Sequence, residues 1–115
     1  MAQEIQFAYW ETSAHEQWKK IMRCALGSST RFEIHCWKEE QREIEMALGY
    51  GTLQKTDWEY GVVIAGAVTP QWIEFLLALP KPGNVETENK MTPFFSIFLD
   101  NGFSSEHYGT ELYQA

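Results

Sequence analysis

The chain is poor in cysteine, in positive charge and in long apolar runs, and each shortage removes a class of protein. Its two cysteines, Cys24 and Cys36, are too few for a disulfide framework. They sit in segments patterned as a helix and a strand, so reduced, packed thiols of the cytoplasm are expected. Nine Lys and Arg stand against 16 Asp and Glu, a formal net charge of −7. Nucleic-acid affinity rests on clustered cations, so no nucleic-acid partner is expected. The only tight basic group is Lys19, Lys20 and Arg23, on what reads as the solvated side of a helix. The longest small apolar run, Gly61 to Val68, is far short of the roughly 20 residues that cross a bilayer. The opening Met-Ala-Gln-Glu-Ile-Gln has neither the basic nor the apolar region of a secretory signal, so neither membrane nor export is expected. No Gly/Ser-rich or Pro-rich stretch divides the chain, and residues 1–115 read as one globular domain.

Motifs are equally sparse. Phosphate-cradling loops, the dinucleotide glycine fingerprint, the nucleophile elbow, cysteines at zinc spacing and His-Glu-x-x-His are all absent, so no catalytic residue, metal or cofactor is assigned. Gly49-Tyr-Gly51 reads as a turn.

What is present is a patterned apolar 44% with a heavy aromatic load of five Trp, five Tyr and seven Phe. Residues 4–10 pattern as a strand. Ser13-Ala-His-Glu16 has the form of a capping box, followed by a helical stripe from Ala14 to Leu26 that Gly27 would stop in the left-handed conformation. Arg31 to Trp37 alternates: Phe32, Ile34 and Cys36 point one way, Glu33, His35 and Trp37 the other. Lys38 to Leu48 fits helix or strand, with a short helix ending at Gly49 preferred. Trp58 to Val68 reads as a central strand. Thr69-Pro70 opens a helix that is apolar nearly all round, and Pro80 to Pro93 reads as a polar loop with Glu86, Glu88 and Lys90. Phe94 to Leu99 returns to strand, and Tyr108 to Tyr113 forms a final edge strand. The fold class is therefore α+β, a mixed or antiparallel sheet of about four to five strands packed by two to three helices, with a regular α/β arrangement as the alternative.

Two histidine-bearing stretches could carry chemistry. His35 and Cys36 are neighbours on a strand and face opposite ways, so they form no nucleophile–base pair. Ser104 to Tyr108 holds residue types suited to acid–base work but reads as a surface loop. The aromatics beside acidic residues point instead to an interface, because Tyr and Trp give large contact area at modest entropic cost. The candidate partner-binding residues are Glu33, His35, Trp37, Asp57, Trp58 and Glu59.

In size, acidity and mixture of elements, and in its acidic-aromatic stretches Glu33 to Glu45, Asp57 to Tyr60 and Glu106 to Glu111, the chain resembles the immunity proteins of bacterial toxin systems, including contact-dependent growth inhibition. The resemblance implies a cytoplasmic protein that binds a cationic toxin domain, commonly a nuclease, and occludes its active site. Two other functions are weighed beside it. One is a small enzyme or ligand-binding domain using His35 or His107 with a carboxylate; the other is a homo-oligomeric subunit joined through helix 70–79 or the strand near 108–113.

Overall fold

A computed structural model of the chain describes residues 2–82 and 90–115. Along the chain run β1 (Gln3–Ile5), α1 (Ala14–Leu26), β2 (Arg31–Trp37), α2 (Gln41–Leu48), β3 (Thr52–Gln54), β4 (Gly61–Ala67), α3 (Pro70–Ala78), β5 (Ser96–Leu99), β6 (Phe103–Glu106) and β7 (Glu111–Gln114). All seven strands form one sheet in the order β1-β7-β6-β5-β2-β4-β3, and every neighbouring pair is antiparallel. The α+β expectation holds, with more strands than the four to five expected. Among the described residues, no helix is long and apolar enough to cross a membrane.

Strand β2 lies inside the sheet, paired on both sides, and its alternation decides which face is which. Phe32, Ile34 and Cys36 are buried. Ile34 registers with Ile64 on one side and Ile97 on the other. Against this face α1 places Ala14, Trp18, Met22, Ala25 and Leu26, α2 places Ala47, and α3 places Trp72, Leu76 and Leu77. These side chains form one core. Trp72 lies flat on Phe32 with ring centroids 3.9 Å apart, and the Trp18 indole N–H, itself buried, donates to Ser105 Oγ at 3.1 Å. That bond matters because a buried N–H left unpaired costs about 1–3 kcal/mol.

Local signals succeed where they are mechanical. Thr69 caps α3, its hydroxyl accepting from Trp72 N at 3.1 Å, with Pro70 in the first turn. The preferred short helix before Gly49 is α2. The capping box at Ser13 does not form. Ser13 has ψ near 3°, and its hydroxyl accepts from the Gln17 side chain at 2.8 Å instead of a backbone N–H. Glu16 reaches solvent and Lys19. Gly27 ends α1 in the right-handed conformation, not the left-handed one. Cys36 is packed as expected, and burial followed by the charges of Glu40 and Glu43 pushes its thiol up to about 12. Cys24, expected to be packed, is exposed; both thiols are free.

The strand inventory also needs correction. Strand β1 stops at Ile5, so the aromatic residues after it lie in the connection to α1. Strand β4 starts at Gly61, leaving Trp58 in the preceding connection. Strand β3 pairs with β4 through three exposed residues that carry too little apolar pattern to announce a strand. Ser104 and Ser105 are in β6, not in a surface loop, and both are buried. The last strand is interior, because β1 pairs with its outer side. Helix α3 is largely covered by its own domain: beyond its buried residues, Ile73, Phe75 and Leu79 are partly buried against the core. Glu86 and Glu88 of the expected polar loop lie outside the described residues.

One staple outside the core ties β2 to the β5–β6 turn. Asp100 accepts from Thr30 N at 2.8 Å and from the Thr30 hydroxyl, and these bonds lower its carboxyl from an ordinary 3.8 to about 2. A depressed carboxyl stabilises the fold fully above its unfolded value, and that contribution is lost as pH falls through the folded one. Asp100→Asn should therefore unfold at lower urea than the native chain at pH of about 5, with the gap closing at pH of about 2. Urea midpoints of both proteins across that window measure it.

Candidate functional site

All three helices pack on the face holding Phe32 and Ile34, and the opposite, outer face of the sheet carries the other half of each strand's alternation. From β2 it receives Glu33, His35 and Trp37, from β5 Phe98, from β6 Ser104 and Glu106, and from β7 Glu111 and Tyr113. Four of the six predicted residues thus come together: Glu33, His35 and Trp37 from one strand, and Trp58 laid against them. Asp57 and Glu59 flank Trp58 in the connection before β4 and are exposed.

Trp58 reaches the face because residue 61 is glycine. A Cβ at Gly61 would lie 2.0 Å from the Trp58 ring, so the indole occupies the space that any side chain there would take. Its ring centroid is 4.9 Å from Trp37, edge-on at 67°, and 5.9 Å from His35. His35 in turn lies 4.7 Å from Phe98. On the other side Trp37 meets Phe95 at 4.9 Å, and Phe95 meets Tyr108 at 5.4 Å and His107 at 5.6 Å. One aromatic band therefore runs from Phe98 through His35, Trp58, Trp37 and Phe95 to the β6–β7 turn.

That turn is held in a costly conformation. His107, Tyr108 and Gly109 are all left-handed, with φ of 51°, 61° and 87°, and a non-glycine residue there costs on the order of 1–3 kcal/mol. The conformation persists because the Tyr108 backbone is bonded on both sides, its N–H donating to Phe95 O and its carbonyl accepting from Met91 N. Glu40 completes the support: one carboxylate oxygen accepts from Trp37 N and the other from the Tyr108 hydroxyl, each at 2.8 Å.

Carboxylates engage the histidines and hydroxyls of this face, and Arg31, which shares the parity of Glu33, stands at the far end of β2. Glu33 meets His35 Nε2 at 2.7 Å, and Glu111 meets His107 Nδ1 at 2.8 Å. Glu106 accepts from the Ser104 hydroxyl at 2.7 Å. Glu111 also accepts from the Tyr113 hydroxyl at 2.6 Å. That bond first, then burial and the charges of Glu111, Glu4 and Glu106, push the Tyr113 phenol up to about 12. Among the described residues no lysine or arginine pairs with these carboxylates; the one Lys–Glu pair, Lys19 with Glu16, belongs to α1.

No family model, no curated protein and no solved structure matches the chain.

A histidine beside a carboxylate is half of an acid–base device, but it needs a nucleophile or a held substrate. Cys36 points into the core, and Ser104 is engaged by Glu106 rather than by a histidine. No group of three or more metal-ligating side chains occurs among the described residues. Sequence reasoning missed Phe95, Phe98 and Tyr113. The signal was there for Phe98, which alternates with buried Ile97 and Leu99, but an aromatic among aliphatics is read as core.

Gly61→Ala should dislodge Trp58 and leave the core intact. The expected cost is about 1–3 kcal/mol, as for other overpacking changes, with the Trp58 indole resonance and the His35 ring resonances moving in an NMR spectrum otherwise near native. Unshifted Trp58 and His35 signals would contradict the packing described.

Proposed function

We propose that the chain is a protein-binding module whose outer sheet face docks a cationic protein, and that it serves in the cytoplasm as an immunity protein, occluding a bacterial toxin such as a nuclease. The observation that carries this reading is the aromatic band on the sheet face opposite α1, α2 and α3, bordered by carboxylates that, among the described residues, form no ion pair with a lysine or arginine. Large aromatic side chains outside the core give contact area and desolvate readily, which is why they dominate interface energetics. Carboxylates around them steer a basic partner, and to a nuclease they stand where phosphates would. A second copy of the chain is disfavoured as the occupant, because like charges would meet across the contact. Asp57 and Glu59, beside Trp58, extend the negative rim.

The test is capture from the source organism with the intact chain at low and moderate salt, followed by affinity and inhibition measurements on what is recovered. The expected partner is a basic protein bound one to one, whose toxic activity is inhibited. Trp58→Ala should weaken it at least about tenfold and Glu33→Gln by less, as for a central anchor and a rim charge. Lys19→Ala, in the helix layer, should leave it unchanged. A partner that binds all three variants equally would overturn the assignment of the face.

A further inference from the structure

The docking face contains a hollow of about 430 Å³ beside the aromatic band. Its shape follows from the register. Phe98, Ser104, Tyr113 and Glu4 stand opposite one another across four adjacent strands, so a small serine separates two aromatic residues on this face. Phe98 and Tyr113 are therefore two strand spacings apart, about 9.5 Å. A flat group sandwiched between two rings needs ring planes roughly 7–8 Å apart, two van der Waals contacts. Phe98, Ser104 and Tyr113 line the hollow, with Ala2 and Gly102 also at its edge. At one end stands Glu106, one carboxylate oxygen taken by the Ser104 hydroxyl.

We infer that this hollow is a socket for an arginine side chain of the cationic partner. The inference rests on the docking reading and names the anchor it would use. A guanidinium is planar, weakly hydrated and permanently charged, so it can stack between the rings and donate to Glu106 in the same pose. Lysine presents a compact, strongly hydrated ammonium that cannot fill a slot between two rings. An uncharged side chain would leave Glu106 without a cation. Glu4, next to Tyr113 across β1 and β7, adds negative potential at the mouth, and among the described residues no lysine or arginine lines the hollow.

The socket is tested without the partner, by titrating the whole 15N-labelled chain with acetyl-Gly-Arg-Gly-amide and with the Lys and Gln counterparts. The arginine peptide should move the amides of Phe98, Ser104, Glu106 and Tyr113 saturably, at least about fivefold more tightly than the lysine peptide, and the glutamine peptide should not saturate. Glu106→Gln, which keeps the Ser104 bond and the fold, should weaken the arginine peptide by a similar factor. Equal response to all three peptides, no saturable shift at these four residues, or indifference to Glu106→Gln would overturn the socket. The two readings separate cleanly. A captured partner that is lost with Trp58→Ala but indifferent to Glu106→Gln overturns the socket alone, whereas arginine binding here with no basic protein recovered overturns the docking reading alone.

Discussion

The pairing of β2 with both β4 and β5 sets a parity that every other feature of the molecule obeys. Side chains alternate along a strand, so once Phe32, Ile34 and Cys36 enter the core, Glu33, His35 and Trp37 must stand on the other face. The register carries that choice outward in both directions, through Ile64 and Ile97 on the inner side and through Phe98, Ser104 and Tyr113 on the outer. A slip of one residue would turn each set over. The three helices then settle the rest by covering one face only, with Trp18 and Trp72 as their largest buried contributions.

The outer face is built with as much support as the inner one. Gly61 leaves room for the Trp58 indole, Glu40 holds Trp37 and Tyr108 at once, and the β6–β7 turn accepts backbone strain at two non-glycine residues to set His107 and Tyr108 against Phe95. None of these devices is needed to fill the core, which is complete among Phe32, Ile34, Ile64, Trp72, Phe94, Ile97 and their neighbours. Backbone strain costs free energy and clusters at functional sites, and surface aromatics mark contact sites; the proposed docking would use both.

What was legible in the sequence depended on whether one short segment held the whole signal. The alternation of Arg31 to Trp37, the stripe of α1 and the Thr69-Pro70 start of α3 each contain their own evidence, and each is found where expected. Strand β3 has three exposed residues and no apolar rhythm, and β6 hides two serines in a sheet interior because one accepts from Trp18 and the other donates to Glu106. Glu106 is only two residues from Ser104, but Trp18 lies 87 residues from Ser105, so that second partnership is not contained in the segment. The candidate site was half legible for the same reason. Glu33, His35 and Trp37 could be grouped from one strand, and Trp58 was noticed for its acidic neighbours. The partnership with Phe95, Phe98 and the turn at His107 exists only through the order in which strands lie side by side.

Charge completes the account. The cations of α1 lie on the helix layer, and the outer face carries Arg31 at the far end of β2 and Lys90 over the Tyr108 ring at 4.0 Å; the carboxylates Glu33, Glu106, Glu111 and Glu4 outnumber them there. The claim that this face is where a partner binds is tested most directly by hydroxyl-radical footprinting of the side chains, free and in complex with the captured basic protein. Trp58, Trp37, Phe98 and Tyr113 should become protected while Trp10, exposed in the connection before α1, keeps its reactivity. Protection of Trp10 with the four outer-face residues unchanged would contradict the account and move the interface off the outer sheet face.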